Sequence, residues 1–167
     1  MHLKSRLALI GAASVVALVL SPSTAVADGG HNLIRGDLTP SLPGDAKINN
    51  IGPGTLPWIL DRGEVRIRES GRMDVRIEGL QIPAGSFDPT VDFNPVASID
   101  ALLYCDGVQM ADSGPQPMTV PGGDARFRVS VPVPSMCDSP SVLISPTAAV
   151  GKAYIASLVP MGDDDDD

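Results

Sequence analysis

The chain has 167 residues, with 12 basic against 20 acidic side chains and a formal net charge of −8. That balance gives no general attraction for nucleic acid, whose binding rests on neutralising phosphates, or for anionic membrane surfaces. Histidine occurs twice and aromatic residues make up only 4%, which argues against histidine-rich metal sites and aromatic-lined sugar clefts.

The first 27 residues have the three-part layout of a secretory signal peptide. Lys4 and Arg6 form a basic start, Leu7 to Leu20 is an uncharged apolar run, and Ala25-Val26-Ala27 supplies small residues for cleavage after Ala27. The run is shorter than the roughly 20 residues of a membrane span, and the mature chain is expected to contain no span. No cysteine follows closely enough for a lipid anchor, and there is no paired arginine, so the general secretory route fits. Cleavage leaves 140 residues, about one domain. The expected location is outside the cell.

Residues 28–56 read as an irregular lead-in, either partly disordered or a loop wrapping the domain. Gly29-Gly30, Pro40, Pro43-Gly44, Asn49-Asn50 and Gly52-Pro53-Gly54 interrupt any regular period. Residues 57–160 are read as the folded domain and 161–167 as an acidic tail.

The clearest pattern follows. Glu64-Val65-Arg66-Ile67-Arg68 and Arg72 through Glu78 both alternate, separated by Glu69-Ser70-Gly71. A three-residue hairpin loop with Gly71 in the left-handed position sets Arg66 opposite Asp74, Glu64 opposite Arg76, Val65 opposite Val75 and Ile67 opposite Met73. A slip would put Arg66 against Arg76 and Glu64 against Glu78, which is unfavourable. The hairpin should have one apolar and one charged, solvated face.

Ile82 to Pro95 is a connection. Ile99, Ala101, Leu103 and Cys105 then share one strand face while Leu102 and Tyr104 take the other, as in a central strand. Asp106-Gly107 is a two-residue turn that would pair Cys105 with Val108 and Leu103 with Met110. Met118 to Val120 reads as a short strand before Pro121-Gly122-Gly123. Ala125, Phe127, Val129 and Val131 alternate with Arg126, Arg128 and Ser130. Val142 to Ile144 and Tyr154 to Val159 close the domain.

Short strands without a helical pattern between them predict an all-β fold: a two-sheet immunoglobulin-like β-sandwich of seven or eight strands with one disulfide. Cys105 and Cys137 are the only cysteines, and in an exported chain they are expected to form that disulfide. Their spacing carries no redox or metal logic. The only tryptophan, Trp58, precedes both cysteines, so the likeness to an immunoglobulin domain is architectural. There is no internal repeat.

No catalytic, cofactor-binding or metal-binding residue is assigned. After cleavage only His31 remains for a Ser-His-Asp triad, and no Gly-x-Ser-x-Gly elbow is present. Asp88, Asp92 and Asp100 cluster in sequence near one loop, and Asp106, Asp112 and Asp124 mark turns. These carboxylates leave two readings besides turn chemistry: a small hydrolase or enzyme accessory, or a weak calcium-binding module. The hairpin arginines with Arg126 and Arg128 are either a basic strip on an acidic protein or a solvated face balanced by cross-strand acids. The Asp163 to Asp167 run is a solvated tail, or a binder of cations or basic partners.

Trp58-Ile59-Leu60-Asp61-Arg62-Gly63-Glu64-Val65, Asn94-Pro95-Val96, Cys105, Gly123-Asp124-Ala125, Cys137 and Ala153-Tyr154-Ile155-Ala156 occur in this order. Over residues 52–159 the chain resembles a group of small secreted proteins of actinobacteria and related soil bacteria with a Trp-x-x-Asp-Arg-Gly segment and two cysteines. The resemblance implies a secreted single domain and carries no catalytic residue. The expected function is a secreted, non-catalytic protein that binds a protein or cell-surface ligand, or has a structural role at the cell exterior.

Overall fold

The computed structural model describes residues 31–160. The expected signal segment, 1–27, and the expected acidic tail, 161–167, lie outside them.

The chain forms strands β1 (Asn32–Asp37), β2 (Thr39–Pro40), β3 (Gly52–Pro53), β4 (Arg62–Arg68), β5 (Arg72–Glu78) and β6 (Ser98–Cys105). They are followed by β7 (Val108–Asp112), β8 (Gln116–Pro117), β9 (Ala125–Ser130), β10 (Pro140–Pro146), β11 (Ala153–Tyr154) and β12 (Ala156–Leu158). One sheet has the order β1-β4-β5-β9 and the second β2-β12-β10-β6-β7, with β8 paired to β6. A parallel pair, β3 and β11, stands apart. This is the two-sheet β-sandwich the strand pattern predicts.

The β4–β5 hairpin has the expected register: Glu64 faces Arg76, Val65 faces Val75, Arg66 faces Asp74 and Ile67 faces Met73. Gly71 has φ 85° and donates its N–H to the Arg68 carbonyl at 2.9 Å. Its position lies so close to the Val131 carbonyl oxygen that a side chain would collide with backbone. Because alternate residues face alternate sides, Val65, Ile67, Met73, Val75 and Ile77 all turn inward and are at most 2% exposed. They pack in one continuous core against Ile99, Ala101, Leu103, Val142 and Ile144 of the second sheet.

Strand β6 is central, between β10 and β7, and is buried on both faces as its two-sided apolar pattern predicts. Its other face carries Leu102 and Tyr104, which join Leu143 and Tyr154 in a smaller cluster. Ile48, Ile51 and Val150 cover that cluster. Ile48 and Ile51 flank Asn49-Asn50, whose φ values of 52° and 66° make a tight turn with reciprocal backbone bonds. Tyr154 Oη donates to the Ala46 carbonyl at 2.9 Å.

Three expectations are corrected. Residues 28–56 are not merely an irregular lead-in: β1 is the edge strand beside β4, and β2 pairs with β12. The punctuation hid β1 because Gly36 interrupts its apolar alternation. Yet Gly36 fits there because it faces Leu158, whose Cδ1 lies 2.8 Å from where a Cβ would stand. Leu103 pairs with Ala111, not Met110, because a bulge between Leu103 and Tyr104 shifts the register after Cys105 has paired with Val108. Ala111 is thereby buried and Met110 left 38% exposed. The short strand near Met118 falls instead at Gln116–Pro117.

Cys105 and Cys137 form the expected disulfide, with Cα atoms 5.2 Å apart. It fastens the end of β6 to the irregular segment between β9 and β10. The immunoglobulin likeness stops at the two-layer architecture, since Cys137 comes from a connection and not from a strand of the opposing sheet. The bridge closes a loop with a sequence separation of 32. The Cys105→Ser/Cys137→Ser double variant is therefore expected to lose about 3 to 4 kcal/mol in equilibrium urea unfolding. An unchanged midpoint and slope would contradict that role.

Candidate functional site

The same alternation that fills the core decides what the first sheet shows to solvent. Reading across β1, β4, β5 and β9, one outward row is Arg35, Arg66, Asp74 and Arg128. The next is Asp37, Glu64, Arg76 and Arg126, and a third contains Arg68 and Arg72. Arg62 and Glu78 complete the end of the hairpin.

All eight arginines that follow residue 27 thus lie on one sheet face. Four carboxylates, Asp37, Glu64, Asp74 and Glu78, share it, leaving a surplus of four positive charges. The only other basic residues after residue 27 are Lys47 and Lys152, both exposed elsewhere. An acidic protein therefore carries a positive face.

The acids on this face arrange the guanidinium groups without silencing them. Glu64 holds Arg35 at 3.2 Å and Glu78 holds Arg76 at 2.5 Å. Asp74 is central, paired with Arg72 at 3.2 Å and with Arg128 from the neighbouring strand. Asn32 Oδ1 accepts from Arg66 Nε at 2.6 Å. A guanidinium has five N–H donors, so one or two such bonds leave others directed outward. Arg126 is exposed and forms no ion pair within 4 Å among the described residues. Partial burial pushes the Asp74 carboxyl up, but the Arg128 hydrogen bond and the charges of Arg128, Arg72 and Arg68 outweigh it. The net position is below the ordinary carboxylate range.

The surface carries shallow, open hollows. A hollow of about 580 Å³ is lined by Arg66, Arg68, Arg72, Asp74, Arg76, Arg126 and Arg128, among others. A second, of about 670 Å³, continues past Arg76 and Arg126 to Met118, Thr119 and Asp124. Arg76 and Arg126 line both. The outward strand positions of this face hold no aromatic ring; Phe127, on the inward parity of β9 and half-buried, also borders the first hollow.

Of the aspartates considered for catalysis or calcium, Asp100 and Asp112 come together, Asp112 lying close enough to Asp100 for a side-chain hydrogen bond; the others serve local loop contacts. Asp88 accepts from the N–H groups of Thr90 and Val91 and from the Thr90 hydroxyl. Asp92 accepts from Ala84 N–H, Asp106 from Ser139 N–H, Asp112 from Gly114 N–H and Asp124 from Gly79 N–H. Each is occupied with loop geometry of the kind aspartate commonly supplies. Among the described residues no three His, Cys, Asp or Glu side chains are grouped to hold a metal ion. His31 is exposed, and its carbonyl accepts from Glu69 N–H at 3.0 Å.

Asp100 differs. It is 2% exposed and accepts from Thr147 Oγ1 at 2.5 Å, while Thr147 also meets Ser98 Oγ at 2.9 Å. Burial raises its carboxyl, the Thr147 bond lowers it, and nearby Asp112 raises it again, for a net upward position. A general acid needs such a carboxyl within reach of substrate, and Asp100 is closed off. Ser145, paired with Asp100 across β10 and β6, is also fully buried.

Several residues of the segments singled out in the sequence are structural. Trp58 is 5% exposed within the core. Gly63 lies where a Cβ would meet Leu38 and Leu60 at 2.8 Å. Asn94 is fully buried, donates to the Val96 and Thr119 carbonyls at 2.8 Å each and accepts from Val96 N–H. Gly123, at φ 75°, sits against the Leu80 backbone. None of these projects chemistry outward.

The disulfide-bonded two-sheet sandwich with an arginine-bearing face is the class the geometry defines. No known protein family, curated protein or solved structure matches the chain.

Opposite shifts of two carboxyls give a direct electrostatic test. Asp74 lies low in the fold, so its contribution is present above the unfolded carboxylate range and lost as pH falls through its folded value. Asp100 lies high, so its charge weakens the fold as pH rises through its folded value. In urea unfolding followed from about pH 3 to pH 7, Asp74→Asn is expected to be less stable than the parent at neutral pH. Asp100→Asn should be more stable there, and both differences should shrink in acid. Equal neutral-pH stability of all three proteins would contradict the two assignments.

Proposed function

We propose that this is a secreted, non-catalytic β-sandwich protein that binds an acidic polymer at the cell exterior through its arginine face. The observation that carries the reading is the placement of all eight arginines after residue 27 on one sheet surface of a net-acidic chain. Scattered arginines would serve solubility equally well. Collected on one twisted sheet, they form a local positive field that attracts polyanions even though the net charge is negative.

The spacing favours a repeating ligand over a single small anion. Alternate residues on a strand lie about 6.7 Å apart and neighbouring strands about 4.8 Å apart, so guanidinium groups recur in two directions. Arginine forks recognise sulfate, phosphate and carboxylate groups by paired hydrogen bonds. The expectation of little attraction for nucleic acid rests on net charge alone; the lack of outward aromatic rings argues against a single-stranded nucleic acid, and duplex DNA is separated by the experiment below. Export is supported by the basic, apolar and small-residue succession in residues 1–27. The Cys105–Cys137 bridge fits an oxidising compartment.

Binding to immobilised dextran sulfate, with neutral dextran as control, tests this reading. The protein is expected to bind the sulfated polymer only, with log affinity falling linearly with log salt. An Arg66→Glu/Arg126→Glu variant should bind at least about 10-fold more weakly, because two contacts become repulsive. Absence of binding at low ionic strength, or equal affinity of the variant, would contradict the reading. Tighter binding to duplex DNA than to dextran sulfate would replace it with a nucleic-acid function.

A further inference from the structure

The second sheet's outer face is apolar over Leu102 and Leu143, but at one end oxygen-bearing side chains meet. Ser98 and Asp100 of β6 point to this face, since they share the parity of Leu102 and Tyr104. Ser145 of β10 stands directly opposite Asp100. Thr147, in the short 3-10 turn Thr147–Ala149, donates its hydroxyl to Asp100 Oδ2 at 2.5 Å and meets Ser98 Oγ at 2.9 Å. Asp112 of β7 approaches from the other side. It pairs with Leu102, which makes it the diagonal neighbour of Asp100 on the same face. Its carboxyl comes within side-chain hydrogen-bond reach of Asp100.

Two features mark this group as a ligand set. The two carboxyls adjoin, and neither forms an ion pair within 4 Å with a basic side chain among the described residues. Two like charges so placed do not both ionise without a positive partner. In addition, Ser145 Oγ is fully buried and has no hydrogen-bond partner, which is rare for a buried hydroxyl. A proton shared by the carboxyls would answer the charge and leave Ser145 Oγ unpartnered. A cation between the strands answers both.

We propose that Asp100, Asp112 and Ser145, with Thr147 and Ser98 beside them, bind a calcium ion that ties β7, β6 and β10 together. Calcium takes six to eight oxygens at about 2.3 to 2.6 Å in flexible geometry, and a carboxylate can give it both oxygens. Magnesium keeps its waters and demands a near-ideal octahedron, which suits a largely buried group poorly. A monovalent ion would leave one carboxylate charge unbalanced. Asp112 is exposed while Asp100 is 2% exposed, so the ion enters past Asp112. Two carboxylates place the affinity in the range of extracellular calcium modules, about 0.1 to 1 mM. The site belongs to the sheet opposite the arginine face, and the proposal does not rest on polymer binding.

Thermal unfolding of the full chain at pH 7 tests it, in EDTA and in about 10 mM calcium, with ionic strength matched by sodium chloride. Stability is read in place of bound calcium because the carboxylates of Asp163–Asp167 can also take up the ion. Calcium should raise the folded-to-unfolded ratio at least about 10-fold, a midpoint shift of roughly 3 to 6 °C or more. Magnesium should shift it less. The calcium shift should vanish in Asp112→Asn, whose side chain is exposed, and in Asp100→Asn. It should shrink in Ser145→Ala, and Asp88→Asn, altered in a distant loop position of the sequence, should keep it.

A parent midpoint indifferent to calcium overturns the proposal, and added stability on mild acidification would then assign the pair a shared proton. A calcium shift that Asp112→Asn and Ser145→Ala retain in full overturns the site. An equal shift with magnesium overturns the choice of ion.

Discussion

The register of the β4–β5 hairpin is the constraint on which both sides of this protein depend. Val65 opposite Val75 and Ile67 opposite Met73 put the apolar side chains inward, and the same pairing puts Arg66 opposite Asp74 and Glu64 opposite Arg76 outward. A shift of one residue would exchange the faces. It would bury arginines and expose the aliphatic side chains that fill the sandwich. Burying an unpaired charge costs several kcal/mol even after relaxation, far more than the few tenths that one cross-strand pair contributes. The core therefore enforces the charged face, and the opposite charges on that face help to choose the register.

Neighbouring strands extend the pattern. β1 and β9 pair on either side of the hairpin and bring Arg35, Arg126 and Arg128 into line with its charges. Asp74 links two strands directly, meeting Arg72 on its own strand and Arg128 on β9. On the second sheet, β6 is buried on both faces because residues 48–51 fold over Leu102 and Tyr104. The disulfide fixes the end of the same strand. The second sheet thus packs beneath the first, whose outward face consists largely of long polar side chains.

Much of this is legible in the amino-acid order. The hairpin register, the two-sided burial of β6, the disulfide and the sandwich architecture all follow from alternation, turn residues and cysteine count. What sequence order hides is determined by distant neighbours. Gly36 breaks the pattern of β1 locally, yet its small size is explained by Leu158 more than 100 residues later. The bulge after Leu103 buries Ala111 in place of Met110, an exchange that turn chemistry alone does not announce. The arginine face was half legible. The hairpin alone carries five arginines against three carboxylates, and the surplus doubles when β1 and β9 add three arginines and one aspartate. The outward parity of every arginine after residue 27 was the available signal.

A net-acidic protein with a concentrated positive face is a strongly polarised object. Local potential, not total charge, then selects what approaches which side, and arginine suits such a surface because its planar fork stays charged and binds oxyanions in pairs. The central claim is that this face is where an acidic ligand binds. The most direct measurement is a backbone amide titration of the folded protein with a short sulfated oligosaccharide. The account predicts saturable, salt-sensitive shifts concentrated in β4, β5 and β9 around Arg66, Arg76, Arg126 and Arg128. Shifts centred on Lys47, Lys152 or the carboxylate-bearing loops, or no shifts at low salt, would contradict it.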